Sequence, residues 1–162
     1  MRFFKARTLR GLTSLEVVVG ASIAGIIVAY AADAIGTFVS SAREVADETQ
    51  ALYLAEEGLE LARFIRDNDW NALDALSLSD PHYFEISAAA ITTTTTPETV
   101  EGFSRNFTLE NVYRDGSTDD VVASTTGGAV EDSGSKYVTV TVSWGSPAKS
   151  VALMTILGNI DQ

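Results

Sequence analysis

The sequence predicts an α+β fold: a long N-terminal α-helix, apolar in its first half and amphipathic in its second, packed on a C-terminal antiparallel β-sheet. Three observations predict it. No proline occurs before Pro81, so nothing breaks a helix from Leu12 to about Asp67, roughly 80 Å at 1.5 Å per residue. Val45, Leu52, Ala55, Leu59, Ala62 and Ile65 recur at steps of 7, 3, 4, 3 and 3, the spacing of a helix with one buried face. "KYVTVTVSW" alternates strictly, with Val138, Val140, Val142 and Trp144 on one side and Tyr137, Thr139, Thr141 and Ser143 on the other, the period of a strand. Helix first and strands afterwards is the order of an α+β domain, here with the apolar part of the helix as a protruding stalk.

The elements follow in order. Residues 1–11 carry Arg2, Lys5, Arg7 and Arg10 and no acid. Residues 12–40 are apolar, and the sixteen from Val17 to Ala32 contain no charge. A basic head before an apolar run has the polarity of an export signal whose basic end stays in the cytoplasm. Residues 41–162 read as the globular part, a helix over 41–67 plus a β-rich 82–157. In the helix, Glu44, Asp47, Glu48, Glu56, Glu57 and Glu60 supply the polar side, while Leu54, Leu61 and Phe64 broaden the apolar stripe. "DNDWNALDALSLSD" leaves the helix through turn-forming residues. "HYFEI" is a short strand, and "TTTTTP", Thr92 to Pro97, reads as a loop ahead of two alternatives, a β-prone edge and a site of O-linked glycans. "FSRNFTLENVYRDG" places Phe103, Phe107 and Leu109 on one strand face. "GSPA" turns the chain and "KSVALMTILG" returns it, so residues 103–157 form an antiparallel hairpin array that covers the second half of the helix.

Composition sets outer limits. The chain has 162 residues and a formal net charge of -11, with four of its 11 basic residues inside the first eleven positions. A nucleic-acid surface needs the opposite balance. There is no cysteine, which removes disulfides, thiolate metal sites and cysteine nucleophiles.

Glu16 is the residue that needs explaining. A carboxylate costs about 3 kcal/mol at mid-bilayer and less towards the edge. A cleaved signal peptide accounts for the basic head and the apolar run, and "AYA" at Ala29 to Ala31 is a passable cleavage site, but Glu16 then stands where the apolar region should begin. A simple membrane anchor has only sixteen uncharged residues against the ~20 needed to span, and lengthening it embeds Asp33. The third reading accommodates the acid. "GLTSLE" ahead of an apolar helix resembles the N-terminal motif of type IV prepilins and pseudopilins. The resemblance covers residues 8–40 well and "YLAEEGLELARFIRDNDW" loosely.

That resemblance implies a specific history. A dedicated peptidase would cut between Gly11 and Leu12 and remove the 1–11 leader. Leu12 would be N-methylated and the apolar helix kept. Glu16 would become the fifth residue, one turn from an α-amino group of pKa ~7.7–8.0. In the family this glutamate pairs with the N-terminal amine of a neighbouring subunit and so fixes the register of assembly. Two departures stand out. The residue after the cut is more often Phe than Leu, and a proline found in many members would fall at Asp33. Without it, Gly20, Gly25 and Gly36 still weaken the helix by ~1 kcal/mol each relative to Ala. Gly20, Ala21, Ala24 and Gly25 have small-xxx-small spacing, which lets helices approach closely; an ordinary anchor poor in bulky residues gives the same pattern.

The resemblance further implies a structural subunit, pilin or pseudopilin, of a type IV pilus-like or type II secretion-like filament, and not an enzyme. Its partners would be copies of itself and other pilins in a helical filament, the prepilin peptidase, an assembly ATPase and an inner-membrane platform protein, with no nucleic acid. It would sit in the inner (cytoplasmic) membrane as a single-pass precursor, then in an extracellular or periplasmic filament. The alternative class is a secreted or membrane-anchored β-rich binding or adhesin domain with a conventional signal peptide; an exported enzyme ranks third.

Tests for chemistry return little. His82 is the sole histidine and reads as structural or exposed. "SGSK" and "SPAK" match S-x-x-K without the companion S-D-N and K-T-G motifs. Asn106 in "NFT" matches a glycosylation sequon inside an expected strand. No cofactor is indicated beyond a calcium candidate. Asp115, Asp119, Asp120, Glu131 and Asp132 are hard oxygen donors in one loop-like stretch, as Ca²⁺ requires, and some pseudopilins bind calcium in a late loop. The ordinary reading is a solvated acidic loop.

Overall fold

In the computed structural model, which describes residues 13–87 and 90–160, the chain has the expected α+β order. Helix α1 spans Ser14–Asn68 and a short α2 spans Trp70–Asp74. The strands are β1 Tyr83–Ile86, β2 Ile91–Thr94, β3 Glu98–Val100, β4 Phe103–Asp115, β5 Val121–Val122, β6 Ala129–Trp144 and β7 Lys149–Gly158. The chain divides into two compact units at Val45/Ala46, and α1 contributes to both.

The second unit holds the core. Strands β3, β4, β6 and β7 lie in that order in an antiparallel sheet, with β5 also paired to β4. Strands β1 and β2 form a separate antiparallel pair. It is joined to the larger sheet through His82, whose backbone exchanges two hydrogen bonds of 2.8 Å with Phe107. Phe107, Leu109, Val138, Val140 and Val142 are fully buried and face residues of α1. The alternation read in "KYVTVTVSW" therefore holds, with Trp144 half-buried at the margin against Phe103.

The helix face that meets this sheet is the expected one over Leu54, Ala55, Leu61, Ala62 and Ile65, with Ala51 and Gly58 added to it. Its buried residues are Ala51, Leu54, Ala55, Gly58, Leu61, Ala62 and Ile65. Val45 is 61% exposed, and Leu52 and Phe64 are also exposed. The contact line alternates small residues, Ala51, Ala55, Gly58 and Ala62, with Leu54, Leu61 and Ile65, and the small ones let the backbone approach the sheet. Gly58 is the limiting point: a Cβ there would stand 2.7 Å from Val140 Cγ1 and 3.3 Å from Arg105 Cδ.

Three further segments correct the sequence reading. The exit from α1 is not only turn: Asp69 caps α2, its carboxylate accepting from the backbone N–H groups of Asn71 and Ala72 at 3.0 and 3.3 Å. The threonine run is not a loop over its first half, because Ile91–Thr94 is β2, with Thr92, Thr93 and Thr94 opposite Glu85, Phe84 and Tyr83. About half of the acidic stretch after Tyr113 is strand as well, since β4 reaches Asp115, β5 covers Val121–Val122 and β6 starts at Ala129. There the β4–β6 register jumps, from Asn111 opposite Lys136 to Val112 opposite Asp132. The extra residues Ser133, Gly134 and Ser135 form a bulge that the backbone of Asn159 closes with a 2.8 Å bond to the Gly134 carbonyl.

Buried polar groups are satisfied, and they tie the layers together. Arg105 is 1% exposed. Its Nε and Nη2 donate to the two oxygens of Glu98 at 3.0 and 2.8 Å, and Nη1 donates to the Leu54 carbonyl at 3.2 Å and pairs with Glu57 at 3.3 Å. The guanidinium also lies 5.3 Å over the Phe84 ring. Lys136 plays the same part for α2, donating to Asn111 Oδ1 at 2.9 Å and pairing with Asp74 at 3.0 Å.

Replacing Gly58 with Ala tests this packing. Helix propensity alone favours Ala by ~1 kcal/mol, whereas overpacking a core costs about 1–3 kcal/mol, and the Val140 contact makes crowding dominate. Urea denaturation should show Gly58→Ala less stable than wild type. Equal or greater stability would contradict the close approach.

Candidate functional site

The first half of α1 is the candidate. Its helix forms because residues 14–42 contain no proline, and it is long and apolar enough to cross a membrane, with none of that apolar stretch buried within the chain. Leu15, Ile27, Tyr30 and Phe38 all expose most of their surface, Leu15 71% and Phe38 74%. Hydroxyl groups in this stretch are turned back on their own helix. Ser22 donates to the Val18 carbonyl at 2.8 Å, Thr37 to Asp33 at 3.1 Å and Ser40 to Thr37 at 2.8 Å. Such bonds remove much of the cost of carrying a hydroxyl into an apolar medium.

The helix opens with a reciprocal cap. The Thr13 N–H donates to Glu16 Oε2 at 2.8 Å, the Thr13 hydroxyl donates to the same oxygen at 3.1 Å, and the Glu16 N–H reaches Thr13 Oγ1 at 3.4 Å. This is a capping box. The carboxylate lies at the positive end of the helix dipole, and its second oxygen, Oε1, accepts no hydrogen bond among the described residues. The sequence signal was present as Thr-x-x-Glu ahead of an apolar run, but attention to Glu16 as part of "GLTSLE" passed over it. Gly11 and Leu12, the expected cleavage and methylation positions, lie outside the described residues, as does the 1–11 leader.

Gly20, Ala21, Ala24 and Gly25 are all exposed. A Cβ added at Gly20, Gly25 or Gly36 would meet nothing within 4 Å. Among the described residues these small residues have no packing duty, unlike Gly58.

The remaining candidates are engaged elsewhere. His82 is buried, lies with its ring tilted 40° to that of Phe107 at 5.5 Å between centroids, and donates from Nε2 to the Ser77 carbonyl at 2.9 Å. Asn106 lies on β4 opposite Thr141. Lys136 of "SGSK" is the buried cation already described, and Lys149 of "SPAK" opens β7. Among the described residues no group of three or more acidic or histidine side chains is arranged to hold a metal ion. Of the calcium candidates, Asp132 pairs with Arg114 Nε at 2.7 Å and accepts from the Gly134 N–H at 3.0 Å. Asp115 accepts from the backbone of Ser117 and Thr118 and from the Ser117 hydroxyl. Arg114 Nη1 donates to the Asp119 carbonyl at 3.0 Å. Asp120 and Glu131 are exposed. Arg114 thus stands between two of these acids, its Nε 2.7 Å from Asp132 and 4.0 Å from Asp119.

The Arg114 hydrogen bond holds the Asp132 carboxyl below the usual carboxylate range, and the Ser117 hydroxyl and neighbouring N–H groups do the same for Asp115. A depressed folded-state value stabilises the fold above the unfolded value of about 3.9, and that contribution fades as pH falls through the folded value. Thermal melting from neutral to strongly acid pH should therefore show a shallower acid loss in Arg114→Met than in wild type; identical slopes would contradict the pairing. Ca²⁺ titration is expected to leave the melting temperature unchanged, and a saturable rise would reveal a cation site that this arrangement does not provide.

Compared with protein-family models, with curated proteins and with solved structures, the chain has no significant match in any of the three.

Proposed function

We propose that the chain is a prepilin-type subunit of a bacterial type IV filament system, with a mechanical and associative role rather than a catalytic one. The observation that carries the reading is the first half of α1. It is an exposed apolar helix with small residues that pack on nothing among the described residues, and with one carboxylate at its mouth whose second oxygen accepts no hydrogen bond among them. After cleavage behind Gly11, the Leu12 α-amino group is the cation of the right height for that oxygen. In the membrane the cap and the helix dipole hold Glu16; in the filament a neighbour's amine takes Oε1. A copy displaced by four residues, about 6 Å, brings its amine level with Glu16, so the pair selects one register.

The same reading gives each part of the chain a place. The basic leader stays in the cytoplasm, the apolar helix holds the precursor in the inner membrane, and residues 46–162 lie on the outer side. Polymerisation replaces lipid around α1 by other copies of α1. The peptidase, an assembly ATPase and a membrane platform protein are the partners this route requires.

Two substitutions test it. Gly11→Val should leave the precursor uncut, and normal trimming would count against the leader. Glu16→Ala should be trimmed normally but yield about tenfold fewer filaments or less, since an uncompensated buried charge costs ~3–5 kcal/mol. Filament yield equal to wild type in Glu16→Ala, read by shearing and sedimentation, would refute the pairing role.

A further inference from the structure

A second charge interrupts the apolar half of α1. Asp33 is exposed, and it is the sole acid between Glu16 and Glu44. Its helix neighbours at three and four residues' distance, Ala29, Tyr30, Gly36 and Thr37, carry no charge. Its side chain makes no hydrogen bond or ion pair among the described residues; only its backbone carbonyl is used, by Thr37. An ionisable group in a segment that enters lipid or a helix bundle needs a partner.

Of the three arginines on α1, Arg63 pairs with Glu60 and Arg66 with Asp67, which leaves Arg43 among the described residues. Arg43 is the single cation between residues 12 and 62. It too is exposed and forms no ion pair among the described residues, although Asp47 stands one turn beyond it. The two cannot meet within one helix, because ten residues separate them by about 15 Å along the axis and about 80° around it. They can meet between helices.

We propose that Asp33 of one subunit pairs with Arg43 of a neighbouring parallel copy displaced by about ten residues, roughly 15 Å. The proposal rests on the filament reading above. The copy that offers Asp33 to a given Arg43 is displaced in the same sense as the copy that offers its Leu12 amine to a given Glu16, so both pairs belong to one parallel array. Donor and acceptor occupy different sides of the helix, as a head-to-tail contact requires. Arg43 stands at the end of the apolar run, and its long side chain can lie along apolar surface while its guanidinium reaches the carboxylate. Asp33 thus acts as a second register device, about 25 Å along the helix from Glu16.

Charge exchange tests it. Asp33→Arg and Arg43→Asp should each lower filament yield by about tenfold or more, as loss of a buried pair does, and the double exchange should recover most of it. Because a new cation at position 33 can disturb insertion, Asp33→Asn and Asp33→Glu are measured beside it, with trimming after Gly11 followed by mass: Asn should assemble poorly and Glu well. Wild-type yield from Asp33→Asn, or a double exchange as defective as the single ones, would overturn the pair. If Glu16→Ala still abolishes filaments in that case, the filament reading survives alone. If the wild-type chain itself forms no filaments where it is trimmed, both fall together.

Discussion

An apolar helix face of this size cannot stay in water. Each Å² of apolar surface left exposed forgoes roughly 25 cal/mol, and α1 exposes bulky side chains on every side from Leu15 to Val39. The rest of the chain's behaviour follows from what can cover them. Lipid can cover them all round and asks that polar groups be satisfied internally, as the backbone and the hydroxyls of Ser22, Thr37 and Ser40 are, with the Asp33 carboxylate as the exception. In the filament proposed above, other copies of the same helix would cover them, and the small residues around Gly20 and Gly25 would allow the close approach that such packing needs.

Glu16 makes sense within that constraint. Among all positions on an apolar helix, the first turn is where a carboxylate costs least, because free N–H groups and the dipole favour negative charge there. Thr13 uses one carboxylate oxygen and leaves the other. The cap therefore serves the single subunit without exhausting the group that an assembly can use. Small residues appear twice along α1 with opposite consequences. Ala51, Ala55, Gly58 and Ala62 are consumed against the sheet of the same chain, whereas Gly20 and Gly25 face open space. Arg105 fixes the sheet side of that contact: one buried cation binds β3 through Glu98 and α1 through the Leu54 carbonyl and Glu57. A buried ion pair of this kind contributes little net stability, but it is costly to break and so discriminates against alternative packings.

The long helix and the β6 strand were legible in the sequence because their signals are local: an absence of proline, and periods of 3.6 and 2. Most of the buried helix face was legible as well, but Ala51 and Gly58 were not, because small residues carry little weight in a hydrophobic pattern yet decide how closely a sheet can approach. The strand in the threonine run and the extension of β4 and β6 through the acidic stretch depend on pairing partners distant in sequence, such as Thr93 with Phe84 and Arg114 with Val130. The Arg105–Glu98 pair spans a turn at Glu101 and Gly102, both with positive φ, and nothing in the local pattern marks Arg105 as buried. The acids weighed for calcium were visible, but that Arg114 would stand among them was not. Of the candidate site, Glu16 and the small-residue face were readable directly; the capping box was readable and overlooked.

The central claim is that the apolar helix stays on the mature protein with Glu16 close behind a newly exposed amine. The most direct measurement is the intact mass and N-terminal sequence of the protein purified from the membranes or filaments of cells that carry the matching peptidase. The account predicts a chain that begins Leu-Thr-Ser-Leu-Glu with one added methyl group on Leu12. A mature chain that begins at Ala32 would leave Glu16 and the small-residue face behind in a discarded signal peptide and would contradict it.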